Sequence, residues 1–299
     1  MYINMSTCYF YNGQSTKNNH MKKVYTIPFW DKHQDLISGY STKHLGNLSF
    51  RSGERKVVQT HKEAFAAELG INWKDVLVLP LSHSNRVVSL PKGVTVVKGD
   101  NNVYISGGHV FGDQVVPIHY NSEWQVGIDA VVSDIPGMFP LIMSADCAAI
   151  GLFDPSTKTY ALVHAGLIGA VNQIVKHVVK CMVAEYKADP RVIEAVIFPS
   201  IRRCHYDLRL SGAWKRIKVD CVRHYGSSDS VFAHENFDLQ CLLQRQLMES
   251  GISEAHIYDT KLCTVCNPEM FYSNLAAGDT EAKKNEGRFG SIVGVKYES

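Results

Sequence analysis

Two histidines and a cysteine have the chemistry and the positions to bind a transition metal: His83, Cys147 and His164. Cys147 follows an aspartate in a tight break between two apolar segments, and His164 ends the next apolar segment, just before Ala165-Gly166. Cysteine thiolate and neutral imidazole are preferred zinc ligands, and both also suit copper. A third donor is needed, and the candidate is His83, which follows another strand-like segment. On spacing alone, the cysteine also fits a core position and each histidine a structural one.

The elements around these donors place them at the ends of strands. Apolar runs bounded by turn residues predict strands over 139–144, 148–153 and 160–164. Apolar side chains at helical spacing then predict a long helix over about 169–186, whose buried face holds Val171, Ile174, Val175, Val178, Met182 and Val183. Because loops on rigid strand ends commonly carry chemistry, this order favours a functional site around Cys147 and His164.

The rest of the chain predicts a mixed α/β domain without internal repeats. Helices are expected over 57–69, where Gly70 suits the left-handed position after the end, and over 210–225 and 238–250. Further strands are expected over 75–81, 87–90, 94–97, 103–105, 192–198, 255–258 and 287–295. The Gly-rich stretch 106–127, with His109 and His119, predicts a long loop or hairpin.

Composition excludes several classes of function. The 299 residues include 31 Lys plus Arg and 29 Asp plus Glu, so the net charge of +2 gives no footprint for nucleic acid. No apolar run approaches the roughly 18 residues of a membrane span, and the polar N-terminus lacks the features of a signal peptide. We therefore expect a cytoplasmic protein whose eight cysteines are mostly thiols. We expect a disordered leader over 1–23, Met21 being a possible true start, and one domain over 24–299.

Short motifs in a fixed order give the chain a resemblance to a known family. Ser144-Ala145-Asp146-Cys147 and His164-Ala165-Gly166-x-x-Gly169 resemble the signature of the YfiH-like family, also called laccase-domain or polyphenol-oxidase-like, which includes purine nucleoside phosphorylases. Other segments resemble further family motifs in the same order: Gly39–Lys43, His83–Val88, Asp129–Ser133, Ile197–Ile201, Cys204–Asp207, Cys263-Thr264, Phe271–Ser273 and Gly287-Arg288. The resemblance covers residues 37 to 297.

The resemblance implies a fold, a metal and a reaction. The fold would be a layered single domain with mixed β-sheets flanked by helices. His83, Cys147 and His164 would bind one zinc, or less favourably copper, and leave a position open for catalysis. The implied partners are a purine nucleoside (adenosine, inosine or methylthioadenosine) and phosphate. The implied reactions are phosphorolysis to base plus ribose 1-phosphate and deamination of adenosine. We expect a monomer or a weak homo-oligomer.

Other residues would complete the site. Asp146 would act as an acid or base, or would orient a ligand, although it also fits a turn-forming role. Phosphorolysis needs a phosphate held by cations, and the candidates are Lys43, Arg86, Arg203 and Arg288. The chain departs from the family where Leu81 replaces a glutamine and where Leu167-Ile168 replaces a Trp-Arg pair.

Alternative functions remain open at this level. Cys147 with His164 as its base could form a cysteine hydrolase acting on an amide bond of a peptidoglycan precursor. A multicopper phenol oxidase needs paired histidines, and no His-x-His occurs in the chain. The replaced family residues would also suit a non-catalytic binding protein with a degenerate pocket.

A second cysteine motif, Cys263-x-x-Cys266, could belong to a structural zinc site or a redox pair. No second Cys-x-x-Cys exists to complete a four-cysteine site, so we interpret these cysteines as part of the protein framework, without a metal or redox role. We interpret His109, His119 and His205 as loop residues.

Overall fold

The computed structural model describes residues 22–98, 103–106, 109–111, 127–208, 214–226, 232–233, 236–278 and 286–297. Its strands are β1 Val24–Thr26, β2 Leu36–Ser41, β3 Val76–Val78, β4 Val87–Leu90, β5 Thr95–Lys98, β6 Val103–Ser106, β7 His109–Val110, β8 Ala130–Ser133, β9 Phe139–Ser144, β10 Ala148–Asp154, β11 Thr159–Ala165, β12 Glu194–Ile197, β13 Phe232–Ala233, β14 Asn236–Phe237, β15 Ile257–Asp259 and β16 Phe289–Val295. Its α-helices are α1 Arg55–Glu68, α2 Leu167–Val171, α3 Ile174–Tyr186, α4 Trp214–Tyr225 and α5 Leu239–Glu249.

Two mixed sheets form the frame of the described structure. The smaller has the order β1-β2-β16-β9-β3, and the larger has the order β15-β12-β10-β11-β8-β4-β7. Most neighbouring strands are antiparallel, but β3 pairs with β9, β4 with β8 and β12 with β15 in parallel. This architecture confirms the predicted mixture of helices and mixed sheets.

The two sheets stack face to face and helices cover their outer faces. Alternate side chains of β10 and β11 pack on α2, α3 and α5, whereas the side chains between them face the smaller sheet. On the other side, α1 covers the smaller sheet. The sheets approach so closely at Gly151 that a Cβ there would lie 2.7 Å from Val293 and 2.8 Å from Trp30. Because the larger sheet is covered on both faces, the side chains on both sides of β10 and β11 are buried. The two strands therefore appear in the sequence as continuous apolar runs.

The chain passes from one sheet to the other through a three-residue link. β9 lies in the smaller sheet and β10 in the larger, and Ala145, Asp146 and Cys147 join them. Asp146 has φ +93°, in the left-handed region that residues other than glycine rarely adopt. The tight break in the sequence is therefore a crossover between layers, and it fixes the place of Cys147.

The predicted helix over 169–186 is wrong as a single element. Two helices, α2 and α3, occupy that stretch, and Gln173 at φ +63° breaks them apart. Val183, which we placed on the buried face, is 39% exposed, whereas the other five residues of that face are buried. The apolar periodicity therefore predicted which residues pack in the core, but it did not predict that the chain breaks between α2 and α3.

Some strand limits also differ from the prediction. The strand expected over 75–81 ends at Val78, shortly before Pro80, which has no N–H for a ladder. The strand expected over 255–258 starts at Ile257, because Glu254–His256 form a 3-10 turn and the pairing with β12 begins only after it. Residues 99–102, 107–108 and 112–126, including His119, lie outside the described residues, as do 1–21 of the expected leader.

None of the helices in the described part of the chain is long and apolar enough to cross a membrane.

Candidate metal centre

His83, Cys147 and His164 converge at the end of the larger sheet. One ligand atom from each lies within 4.8 Å of the others. Cys147 Sγ is 3.9 Å from His83 Nε2, and the two imidazole rings stand at 88° with centroids 4.9 Å apart. His164 is buried, Cys147 is half-buried and His83 is exposed. The predicted triad thus forms one cluster that faces solvent on the His83 side. We call it the His–Cys–His centre.

Asp129, which immediately precedes β8, anchors the turn that carries His83. Its side-chain oxygens accept hydrogen bonds from the backbone N–H groups of Ser82, His83 and Ser84, at 3.2, 3.0 and 2.7 Å. They also accept from the hydroxyls of Ser82 and Ser84, at 2.8 and 2.6 Å. These bonds hold His83 at φ +58°, a strained conformation for a residue with a side chain.

The same carboxylate orients the second histidine. His164 Nδ1 lies 2.8 Å from Asp129 Oδ1, and both side chains are buried. The His164 backbone N–H also donates to the Asp129 carbonyl, at 2.6 Å. A carboxylate partner places the proton on Nδ1, so Nε2 is left to face a ligand. One buried aspartate therefore positions both histidines.

Asp146 connects the crossover to two distant loops. Its Oδ1 accepts from the Thr264 hydroxyl at 2.6 Å, and its Oδ2 accepts from the Leu275 backbone N–H at 2.7 Å. Its carbonyl accepts from the Ile201 N–H at 2.8 Å. Both carboxylate oxygens are thus engaged by neighbours that hold Cys147 in place from one residue away.

Two glycines allow the close approach of the segment after β11. A Cβ at Gly166 would lie 3.1 Å from His83 Cδ2 and 3.2 Å from His164 Cε1. A Cβ at Gly169 would lie 2.5 Å from the Ser84 carbonyl oxygen, a distance that real contacts do not reach. The glycines of the His-Ala-Gly motif therefore keep space beside the donors.

The electrostatics of the metal-free cluster favour a thiolate beside an imidazolium. Burial raises the pKa of Cys147, but the charge of His164 and hydrogen bonds from both histidines lower it further, to about 6. Burial lowers the pKa of His164, yet the Cys147 charge and the hydrogen bond to Asp129 raise it to about 9. Burial also opposes ionisation of Asp129, whose pKa nonetheless stays below its usual range because His164 and Ser84 hydrogen-bond to it. A thiolate is the form of cysteine that binds metals.

The four predicted phosphate ligands lie in different surroundings. Lys43 Nζ donates to the Pro268 carbonyl at 3.0 Å and lies over the Tyr272 ring, so it ties down a loop. Arg203 lies 3.9 Å from Asp238, and Arg86 is exposed just after the Ser82–Ser84 turn.

Arg288 is the candidate whose guanidinium pKa is affected by the charges of Cys147 and Asp146. Burial and the charge of Arg51 lower the pKa of its guanidinium, whereas the charges of Glu286, Cys147 and Asp146 oppose that shift. Its Nη1 donates to the carbonyls of Glu286 and Gly287 at 3.0 and 2.7 Å.

Two features of the structure were missed from the sequence. We gave Asp129 no role, although it opens a motif of the family resemblance. We also did not pair Cys204 and His205 with Cys263-x-x-Cys266, whose ligand atoms all lie within 4.8 Å of one another. The signal was the adjacent Cys204-His205 pair, of which we interpreted His205 as a loop residue and Cys204 only as part of a family motif.

Comparison with known proteins finds matches along most of the chain. A family model described as multi-copper polyphenol oxidoreductase laccase matches residues 35–296. Mouse purine nucleoside phosphorylase LACC1 is 29% identical over 172 residues, which are 54% of this chain and 39% of that protein. Purine nucleoside phosphorylase YlmD of Bacillus subtilis is 29% identical over 170 residues, 56% of this chain and 59% of that protein. The chain thus spans between about two fifths and three fifths of these relatives.

Another relative carries a different name, and two solved structures share the fold. Adenosine deaminase RL5, from an unknown prokaryotic organism, is 28% identical over 154 residues, 49% of this chain and 56% of that protein. The hypothetical protein YfiH of Bacillus licheniformis superposes with a TM-score of 0.73 at 20% identity, over 93% of this chain and 98% of its own. YlmD of Geobacillus stearothermophilus gives 0.72 at 19% identity, with the same coverage.

Proposed function

The chain belongs to the multi-copper polyphenol oxidoreductase laccase family, and we propose from this premise that it is a zinc-dependent enzyme of purine nucleosides. Relatives named purine nucleoside phosphorylase support that substrate class. In phosphorolysis the bond between the ribose C1′ and the purine nitrogen breaks. A phosphate oxygen bonds to C1′, so the products are the free base and ribose 1-phosphate.

The observation that carries the proposal is the convergence of three donors, His83, Cys147 and His164, whose two histidines are positioned by one buried carboxylate. A thiolate and two imidazoles suit zinc, and three protein ligands leave one position open, which is typical of a catalytic site. The fit is supported by His164, whose Nδ1 is engaged by Asp129 and whose Nε2 is therefore available. A zinc ion bound here supplies Lewis-acid activation of the nucleophile or of the substrate.

The residues around the donors have positioning roles in this proposal. Asp129 keeps His164 in one tautomer and holds the backbone of His83. Asp146 uses both carboxylate oxygens to hold the Thr264 and Leu275 loops. We therefore assign it to placing Cys147 rather than to proton transfer.

Arg288 is our first choice for a phosphate ligand among the four cations. The charges of Cys147 and Asp146 act on its guanidinium, and arginine matches phosphate geometry well. Lys43 and Arg203 interact with Pro268 and Asp238, so we give them structural roles. Arg86 is exposed on the segment that Asp129 anchors and is the second choice.

Deamination of adenosine is the second candidate, favoured by the relative named adenosine deaminase RL5. In that reaction water adds to the purine carbon that bears the amino group, and ammonia leaves. It needs no phosphate, so the two reactions separate in one assay.

The test is turnover of adenosine by protein of known zinc content, with and without phosphate, followed by chromatography of adenine, inosine and ribose 1-phosphate. We expect adenine only with phosphate, or inosine without it, and loss of both products in Cys147→Ala. Cys181→Ala is the matched control, because that thiol is buried in α3 among apolar residues, and it should keep activity.

Other results would redirect the assignment. Zinc bound without turnover of any nucleoside, combined with cleavage of amide substrates by wild type, would replace this proposal with the cysteine hydrolase. Absence of both metal and turnover in folded protein would leave the non-catalytic binding protein.

A further inference from the structure

A second set of metal-binding side chains lies at the end of the larger sheet, outside the His–Cys–His centre. Cys204 and His205 follow β12, and Cys263 and Cys266 follow β15. Because β12 and β15 are parallel neighbours, the two loops leave the same edge of the sheet and meet. An isolated bridge between Ser200 and Cys263 joins them. We call the four residues the Cys–His–Cys–Cys cluster.

The distances within the cluster match a tetrahedral site. Cys204 Sγ lies 3.6 Å from both Cys263 Sγ and Cys266 Sγ. His205 Nδ1 lies 3.3, 3.8 and 3.5 Å from the sulfurs of Cys204, Cys263 and Cys266. A zinc tetrahedron with Zn–S of about 2.3 Å and Zn–N of about 2.0–2.1 Å has S–S edges of about 3.8 Å and S–N edges of about 3.6 Å. One ion at the centre would contact all four donors.

The backbone around the cluster is arranged to stabilise a thiolate. The N–H groups of Arg202 and Cys266 donate to the Cys263 sulfur. The turn that begins at Cys263 is closed by Asn267, whose N–H and side-chain amide both donate to the Cys263 carbonyl, at 3.2 and 2.8 Å. Cys263 is buried, whereas Cys204 and His205 are exposed, so an ion could enter from solvent.

We propose that the Cys–His–Cys–Cys cluster is a structural zinc site, separate from the His–Cys–His centre. Four protein donors with no open position are typical of structural zinc, whereas three donors are typical of catalytic zinc. The missing second Cys-x-x-Cys argued against a metal in the sequence, but Cys204 and His205 supply the other two donors.

The oxidation state of Cys266 sets a condition for the site. Cys266 takes part in a disulfide in this structure, and a disulfide sulfur is not a thiolate ligand. A dithiol reductant converts the disulfide to two thiols by transfer of two electrons and two protons, and becomes a disulfide itself. The four-donor site therefore forms in reduced protein.

The site would also support the catalytic centre. Thr264, inside the Cys263–Cys266 turn, donates to Asp146, and Ile201, ahead of Cys204, donates to the Asp146 carbonyl. Asp146 precedes Cys147 in the crossover. An ion that joins the two loops therefore fixes the wall against which the Cys147 segment rests.

Zinc stoichiometry tests the proposal in the full chain. Protein in a dithiol reductant is loaded with Zn²⁺, freed of loosely bound ion with a weak chelator and analysed by mass spectrometry of the metal. We expect about two zinc ions per wild-type chain, about one in Cys147→Ala and almost none in Cys147→Ala/His205→Ala. His224→Ala, an exposed histidine on α4, is the matched control and should not change the count in Cys147→Ala.

Cobalt absorption identifies the ligands independently. Cys147 is the only sulfur of the His–Cys–His centre, so thiolate-to-cobalt charge transfer in Cys147→Ala must come from the other cluster. We expect that absorption with Co²⁺ and its loss on adding Cys263→Ser. If folded Cys147→Ala retains neither zinc nor the cobalt band, the proposal is wrong. Neither readout involves a nucleoside, so failure of the proposed enzymatic function would leave this result unaffected.

Discussion

The His–Cys–His centre and the Cys–His–Cys–Cys cluster use similar side chains but are supported differently. The His–Cys–His centre has three donors, and the Asp129 carboxylate, which is buried from solvent, fixes both of its histidines. The Cys–His–Cys–Cys cluster has four donors. The distances from Cys204 Sγ and His205 Nδ1 to each other and to the sulfurs of Cys263 and Cys266 are 3.3 to 3.8 Å. Under our two proposals, the number of donors and their support, rather than the donor type, would distinguish a catalytic metal site from a structural one.

We expect the largest effect from removing a donor of the His–Cys–His centre. We expect His164→Ala to lower kcat/KM for adenosine by roughly 1000-fold, because Lewis-acid stabilisation is worth several kcal/mol. The zinc of the four-donor cluster should remain. Steady-state kinetics with metal analysis of the same sample checks both statements, and unchanged kcat/KM would remove the centre from catalysis.

Substitution of Asp129, which positions the histidines of the His–Cys–His centre, should have the next largest effect. Asp129→Asn keeps the size of the side chain but removes the charge that orients His164, and we expect the zinc affinity of the centre to fall by about 10- to 100-fold. Competition with a chromophoric chelator measures it. Asp134→Asn is the control, because Asp134 lies just after β8 and accepts a hydrogen bond from the Lys92 backbone N–H at 2.7 Å, and it should leave the affinity unchanged.

Loss of the hydrogen bond from Thr264 to Asp146, which links the Cys263–Cys266 turn to the crossover, should have a smaller effect. Thr264→Val removes the donor to Asp146, which costs about 1–3 kcal/mol of unfolding free energy because an acceptor is left buried. We expect both zinc ions to stay bound while kcat falls up to tenfold. Thr260→Val, which removes a 3.1 Å bond to the Ile197 carbonyl, is the matched control. Equal kcat in the two variants would show that the link does not position Cys147.

The smallest effect concerns protonation of the metal-free centre. Because the pKa of Cys147 is lowered to about 6, its thiolate should form as pH rises through 6, and alkylation by iodoacetamide should follow the same midpoint. Burial raises the pKa of Cys181 to about 12, so that thiol should stay unreactive. Peptide mass mapping after timed alkylation at a series of pH values separates the two. A Cys147 midpoint near 9 would show that His164 does not stabilise the thiolate.

The sequence predicted the layout of the donors because that information is local. Apolar runs and turn residues located β9, β10 and β11, and the Ala145–Cys147 break fell where the chain crosses between sheets. The site-residue assignment itself remains a prediction. The break at Gln173 was not visible, because α2 and α3 share one apolar periodicity and only their packing on different neighbours separates them.

The family and the mixture of helices and sheets were predictable from the sequence alone, and the assignment of His83, Cys147 and His164 as metal donors is still a prediction. The contacts of Asp129 became visible only in the folded chain, because this residue lies 35 residues from His164 and 46 from His83. It also brought Cys204 to Cys263 across 59 residues and directed Lys43 to Pro268 across 225. The residue types and the spacing of apolar side chains are local properties of the sequence. Which carboxylate, thiol or ammonium group meets which partner depends on how strands are ordered in the sheets, and no local pattern carries that order.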